Sequence, residues 1–169
     1  MPNSAVRLAG LALAALSTLT ACVVVGVDAQ VDEFRYDETP AGYSVRRSDY
    51  DFATTLARLQ GAIEARGLTT FNVIDHAEGA AGVDVALRPT TLVIFGTPKV
   101  GAPIMAASQT AGADLPMKAL VYEAENGATY LAITRPSALF ARHGVKDLDT
   151  VKERAEKTLD AIADETVEG

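Results

Sequence analysis

Residues 87–123 read LRPTTLVIFGTPKVGAPIMAASQTAGADLPMKALVYE and contain two strongly apolar runs. The first run, residues 90–95, is too short for a helix and rich in β-branched and aromatic side chains, so it predicts a central strand with Ile94 fully buried. The second run, residues 118–122, predicts another strand. Glycine and proline between the runs predict a tight loop at 96–101, and the apolar residues that follow predict a short helix at 102–107.

The flanking sequence supplies the remaining elements of the predicted sheet. Upstream, hydrophobic spacing predicts a strand at 43–47, a helix at 51–66 and a strand at 68–75. Ser48 and Asp51 have the spacing of a capping box at the start of that helix. Downstream, Asn126 and Gly127 predict a hairpin with a type I′ turn. The elements around that turn are strands at 119–124 and 128–134, a short helix at 136–143 and a longer helix at 147–163.

These elements predict the fold class α+β: a two-layer sandwich in which a mostly antiparallel sheet of about five strands is covered by two longer helices. The strands at 90–95 and 118–122 are apolar on both alternating faces, and one helical layer covers only one face. A second copy of the chain is therefore expected on the other face, giving a homodimer. Alternatively, the short segments 102–107 and 137–143 cover that face within one chain.

Part of this pattern is similar to a known family. The similarity is carried by RPTTLVIFGTP at 88–98, by Gly101 and Met105, and by DLPMK at 114–118, with residues 71–76 resembling the strand that leads into a histidine. The chain thereby resembles the domain of unknown function 302 family from about residue 42 to about residue 163. The resemblance implies a small two-layer α/β domain, commonly dimeric, with no assigned activity.

The N-terminus predicts export. Residues 1–21 have one charge followed by a Leu- and Ala-rich run, and Leu19-Thr20-Ala21-Cys22 has the form of a bacterial lipobox. Cys22 is thus the predicted lipidation site. Two alternatives remain open: cleavage after Ala29, and an uncleaved anchor formed by residues 8–27.

The predicted organisation is a lipoprotein-type signal peptide at 1–21, a tether at 22–40 and one α+β domain at 41–165. The chain is expected in the cell envelope, lipid-anchored to a bacterial membrane and facing outside the cytoplasm, in a compartment such as the periplasm. Its net charge of −7 argues against nucleic acid as a partner and against electrostatic binding to anionic membranes. A single cysteine excludes an internal disulfide.

His76 is the first candidate for chemistry, because it follows an apolar strand and lies between Asp75 and Glu78. These residues could perform acid–base catalysis, although a loop histidine that bonds the backbone is the more common case. Two distant histidines form no zinc pattern, and no metal or other cofactor is predicted. Haem would require an axial ligand such as His76, His143, Met105 or Met117, of which the methionines are better explained as core residues.

The loop at 96–101 could attract an anion if it opens a helix, since Lys99 and free N–H groups would then converge, but a plain structural loop is favoured. The predicted binding residues are His76, Arg88, Gly96, Pro98, Lys99 and Met105. The favoured function is a non-enzymatic, lipid-anchored module that binds a small ligand or partner through the loops around His76 and Gly96. The alternatives are an enzyme that uses His76 with Asp75 or Glu78, and a haem or metal accessory protein.

Overall fold

A five-stranded antiparallel sheet organises residues 41–169, the part of the chain that this computed structural model describes. The strands are β1 (Tyr43–Arg47), β2 (Thr69–Asp75), β3 (Thr90–Gly96), β4 (Met117–Glu123) and β5 (Thr129–Thr134). Their order across the sheet is β1-β5-β4-β3-β2, and every neighbouring pair is antiparallel. The predicted α+β sandwich is confirmed, and β3 is an interior strand paired with both β2 and β4, as its apolar run predicts.

Five helices complete this part of the chain: α1 (Phe52–Ala65), α2 (His76–Ala81), α3 (Pro98–Ala107), α4 (Pro136–His143) and α5 (Asp149–Val167). A 3₁₀ turn at Gln109–Ala113 joins α3 to β4. The long helices α1 and α5 pack against each other and against one face of the sheet, as predicted. The core between them consists of aliphatic and aromatic side chains, including Leu59, Ile63, Val93, Phe95, Val121, Leu131 and Ile162.

The start of α1 differs from its prediction. Asp51 is itself the N-cap, and its carboxylate accepts a hydrogen bond of 2.7 Å from the backbone N–H of Thr54. The expected capping box with Ser48 is wrong, because the buried Ser48 hydroxyl bonds the Thr55 hydroxyl at 2.8 Å. The helix stops where Gly67 adopts a φ of +64°, a conformation that glycine tolerates best.

Helix α5 extends past its predicted end at residue 163. Thr166 and Val167 in its last turn are buried. Arg58 of α1 donates hydrogen bonds to the backbone carbonyls of Thr166 at 3.1 Å and Glu168 at 2.9 Å. A guanidinium from another helix thus satisfies carbonyls that a helix end leaves without intrahelical donors.

The hairpin between β4 and β5 forms where predicted but with another turn. Gly127 has a φ of +77°, whereas Asn126 does not have the positive φ that a type I′ turn requires. The N–H of Gly127 bonds the carbonyl of Ala124 at 3.0 Å, and the N–H of Ala124 bonds the carbonyl of Ala128 at 2.8 Å. The result is a three-residue loop whose last residue is a left-handed glycine, the second commonest hairpin form.

The short helices α3 and α4 extend the core at one end of the sheet. Ile104, Leu139 and Phe140 form a second apolar cluster with the 3₁₀ turn, and Met117 packs against both this cluster and the main core. Val151 of α5 also contacts it. The cluster therefore continues the covered side of the sheet, and the alternative in which these segments cover the second face is wrong.

The second face carries a row of apolar side chains across all five strands. Strand register places Val45, Ala132, Leu120, Leu92 and Ile74 next to one another in that order. Ala132 is 9% exposed, and the other four are partly exposed. We call this row the open face. Ile94 also points to this side and is only partly buried, so its expected full burial is wrong.

Candidate functional site

A groove of about 520 Å³ lies at the end of the sheet where β3 ends and β4 begins. Its walls come from the end of α1, the start of β2, helix α3, the segment before β4, and helices α4 and α5. We call it the α3–α5 groove. Apolar side chains dominate its lining, among them Leu68, Phe71, Phe95, Val100, Ile104, Met105, Leu115, Met117, Leu139, Phe140, Val151 and Leu159.

Local backbone geometry explains why large apolar side chains reach the groove. A bulge in β2 between Thr70 and Asn72 interrupts the regular pairing at Phe71, whose side chain stays 52% exposed. A Cβ at Gly96 would lie 4.0 Å from the Phe71 ring and 3.7 Å from Pro116, so the glycine leaves room between them. Met105 on α3 is 36% exposed and also lines the groove.

The segment 96–101 is not the structural loop that its glycines and proline predict. Thr97 is the N-cap of α3, and Pro98 occupies its first turn, where a missing N–H does no harm. The N–H groups of Val100 and Gly101 both bond the carbonyl of Thr97 at 3.1 Å. The segment therefore opens a helix, as the anion alternative requires, and Lys99 lies in its first turn. The expected convergence of free N–H groups is only partial, because Pro98 has no N–H and those of Val100 and Gly101 are bonded to Thr97.

Three cations line the groove: Arg66, Lys99 and Arg154. Arg66 is engaged in the fold, because its guanidinium bonds the carbonyl of Ala62 at 2.9 Å and the carboxylate of Glu165 at 2.7 Å. Lys99 and Arg154 are exposed, and their side chains have no hydrogen-bond or ion-pair partner within residues 41–169. None of the described lining residues is Asp or Glu.

The predicted binding residues fall into two groups at opposite ends of the sheet. Gly96, Pro98, Lys99 and Met105 line the α3–α5 groove. His76 and Arg88 do not, because β2 runs antiparallel to β3 and carries the chain to the other end. The expected single site formed by the loops around His76 and Gly96 is therefore wrong.

The predicted acid–base residues occupy the exposed start of α2. Asp75 is the N-cap, and its Oδ1 accepts hydrogen bonds from the N–H groups of Ala77 at 2.9 Å and Glu78 at 3.0 Å. His76 is the first helical residue and is exposed, as is Glu78. At the same end, Arg88 Nε donates to the backbone carbonyl of Glu123 at 3.1 Å. The side chains of Asp75 and Arg88 are thus both hydrogen-bonded to the backbone of the domain.

A polar cluster that sequence reasoning missed joins the 3₁₀ turn to α4. His143, whose side chain is 10% exposed, places Nε2 2.8 Å from Asp114 Oδ2 and Nδ1 3.0 Å from the Thr110 hydroxyl. Ser108 donates to the carbonyl of His143 at 2.9 Å. The hydrogen bond from His143 lowers the pKa of Asp114 against the opposing effect of burial, and the Arg142 guanidinium adds to the decrease. Both ring nitrogens of His143 are therefore engaged within the fold.

The described residues offer no evident metal centre. Between residues 41 and 169, no three His, Cys, Asp or Glu side chains are grouped so that they could hold a metal ion. Of the four side chains considered as haem ligands, Met105 and the partly buried Met117 line the groove, His143 is in the polar cluster and His76 lies at the far end. Over the same range, no helix is long and apolar enough to cross a membrane.

Residues 43–164 match the family model described as domain of unknown function DUF302. The chain is 33% identical over 105 residues to a "Fluoride-specific ion channel FluC 1" of Brucella suis biovar 1 (strain 1330), and this region covers 62% of the chain and 41% of the relative. The identity is the same to a protein with that name from Brucella abortus biovar 1 (strain 9-941), of which 39% is covered. The chain thus spans about two fifths of the length of these curated relatives.

A solved structure has the same fold. The crystal structure of an uncharacterized conserved protein DUF302 from Bacillus stearothermophilus superposes with a TM-score of 0.68 at 20% identity, covering 75% of this chain and 99% of that chain. Almost the whole of that chain is this fold, so the fold also occurs as a chain by itself.

Proposed function

The chain belongs to the DUF302 family of domains of unknown function, and we propose that it is a non-enzymatic module that binds a small ligand in the α3–α5 groove. The observation that carries the proposal is the groove itself. Its volume of about 520 Å³ falls within the roughly 300–1,000 Å³ typical of small-molecule sites. Its lining is apolar with a few cationic and hydroxyl groups, which is also typical of such sites.

Native mass spectrometry of gently purified protein tests this function. Residues 41–169 are expected to carry extra mass from a bound small molecule, lost under denaturing conditions. Ala102→Phe introduces a ring at an exposed position of α3 that lines the groove, and it is expected to abolish that mass. Ala107→Phe is the matched control, because Ala107 is on the same helix, exposed and outside the groove. Equal retention by both variants would place the ligand elsewhere.

We further propose that two copies of the chain associate through their open faces. The support is the row of Val45, Ala132, Leu120, Leu92 and Ile74, which crosses every strand. A continuous apolar patch of that extent is unusual on the surface of a monomer. A two-fold axis would bury it symmetrically and leave the α3–α5 groove, on the other side of the sheet, accessible in both copies.

The cellular setting is a proposal from the leader sequence, which lies outside the described residues. Leu19-Thr20-Ala21-Cys22 favours lipidation of Cys22 and retention in the bacterial cell envelope, with the domain outside the cytoplasm. A lipid anchor would keep the groove close to a source of small amphiphilic molecules. The name fluoride-specific ion channel belongs to the relatives, of whose length the chain spans only about two fifths.

A further inference from the structure

We infer that the α3–α5 groove takes a single-chain amphiphile with an anionic head, such as the carboxylate of a medium-length fatty acid. The inference rests on the proposed function, in which the groove binds a ligand, and adds the chemical class of that ligand. It follows from two properties of the lining: the sign of its charges and the shape and polarity of its walls.

The groove carries positive charge, although the chain as a whole is acidic. The chain has 22 acidic and 15 basic residues, yet the lining includes Arg66, Lys99 and Arg154 and no Asp or Glu among the described residues. A cationic group that faces an apolar groove is stabilised by an anionic partner, especially where water is partly excluded. An anionic head group can pair with the cations that lack a protein partner, whereas a neutral or cationic head group cannot.

Two of the three cations are available to a ligand. The guanidinium of Arg66 already bonds Glu165 and the carbonyl of Ala62. Lys99 and Arg154, by contrast, have no side-chain partner within residues 41–169. Lys99 also lies in the first turn of α3, so the partial positive charge of the helix N-terminus acts on the same region. The head group is therefore assigned to Lys99 and Arg154.

The walls favour an apolar tail. Phe71 is 52% exposed, and Val100 and Met105 are each 36% exposed, and all three line the groove. Covering such side chains with an apolar molecule removes apolar surface from water, which makes binding more favourable. Met105 is unbranched and adapts to a flexible chain better than a β-branched residue would. An alkyl chain is thus a better match than a compact polar metabolite.

Isothermal titration calorimetry with three probes of equal tail length tests the head group. Residues 41–169 are titrated below the critical micelle concentration with dodecanoate, dodecyltrimethylammonium and dodecyl maltoside. Dodecanoate is expected to bind most tightly, and its affinity is expected to fall as salt screens the ion pairs. Equal binding of all three probes would overturn the anionic head but leave the proposed function intact. Binding of none would overturn both.

The tail is tested with octanoate, decanoate and dodecanoate. If the tail is buried, each added methylene is expected to tighten binding roughly fourfold. If the affinity does not change with tail length, the protein binds only the charged head group, and the inference is overturned. Binding of a peptide of residues 31–40, VDEFRYDETP, in place of dodecanoate would also overturn it, since an acidic segment of the chain would then be the occupant.

Charge-removing variants test the assigned cations. Lys99→Gln and Arg154→Gln are each expected to weaken dodecanoate binding roughly two- to fivefold while leaving dodecyl maltoside binding unchanged. Lys157→Gln is the matched control, because Lys157 is exposed on α5 and outside the groove. Both test positions are exposed, so folding is expected to be retained, and thermal unfolding checks it. Equal effects of all three variants would overturn the assignment.

Discussion

His143 and Asp114 lie 29 residues apart in the chain, yet Nε2 of the imidazole is 2.8 Å from Oδ2 of the carboxylate. The pair ties the end of α4 to the segment that leads into β4. On the other side of the ring, the Thr110 hydroxyl is 3.0 Å from Nδ1. Because these contacts hold α4 and the 3₁₀ turn together, they support one wall of the α3–α5 groove.

Replacing Asp114 tests the energetic role of this pair. The pKa of Asp114 is lowered in the folded protein, so its contribution to stability is present above the unfolded-state value and is lost as pH falls through the folded one. Asp114→Asn is expected to lower the free energy of unfolding by about 1–2 kcal/mol at neutral pH. The difference from the wild type should shrink below about pH 4. Urea unfolding at neutral and acidic pH measures both.

Asp84→Asn controls for the chemical change itself. Asp84 is exposed and has a φ of +58°, a conformation that asparagine also tolerates. This variant should unfold like the wild type at both pH values. A stability gap for Asp114→Asn that stays constant with pH would contradict the role assigned to the carboxylate.

Sequence periodicity predicted the sheet well, because each strand and both long helices have the apolar spacing that their covered faces require. It could not identify the side of β3 that the helices cover. Strand alternation shows that Val93 and Ile94 point to opposite faces of the sheet, but the residues of β3 are apolar on both faces. Only the packing of α1 and α5 determines that Val93 is buried and Ile94 is partly exposed.

The site was predicted in part. Gly96, Pro98, Lys99 and Met105 were found because they are close together in sequence, and His76 was grouped with them although strand direction places it at the opposite end. Arg154 is not predicted by the sequence, because alternating charges on the outer face of a helix are usually only solvated. The contact between Asp114 and His143 depends on how α4 packs against the 3₁₀ turn, and no local spacing encodes it.

Val93 offers a direct test of the core. Its side chain is 0% exposed between the sheet and the helices, so Val93→Ala is expected to lower the free energy of unfolding by about 2–3 kcal/mol through lost burial and a cavity. Val83→Ala is the same change at a position that is 70% exposed, and it is expected to stay within about 0.5 kcal/mol of the wild type. Similar unfolding midpoints for the two variants would contradict the described core.

The leader can be tested independently of the domain. If Cys22 is lipidated, growth with a clickable palmitate analogue is expected to label the wild-type chain and not Cys22→Ser, because the thiol is the acceptor and the chain has no other cysteine. Protein amounts in the membrane fraction, measured by immunoblot, should fall in the variant as well. Labelling of the two chains to the same extent would remove the lipid anchor from the proposed function.

Association through the open face predicts a charge-sensitive dimer. Leu120 sits on the middle strand, between Ala132 and Leu92 in the row, and is partly exposed. Leu120→Glu would place two like charges near the two-fold axis and prevent their solvation on association. Sedimentation equilibrium of residues 41–169 at micromolar concentration is expected to give the mass of two chains for the wild type and of one chain for this variant.

Val83→Glu is the control for that experiment, because Val83 is 70% exposed and lies outside the open face. It should sediment as the wild type does. Since Leu120 is not part of the buried core, the Leu120→Glu monomer is expected to keep a cooperative thermal transition, which separates loss of association from loss of folding. A wild-type mass of one chain at every concentration would show that the open face remains exposed to water, and the dimer would then be excluded.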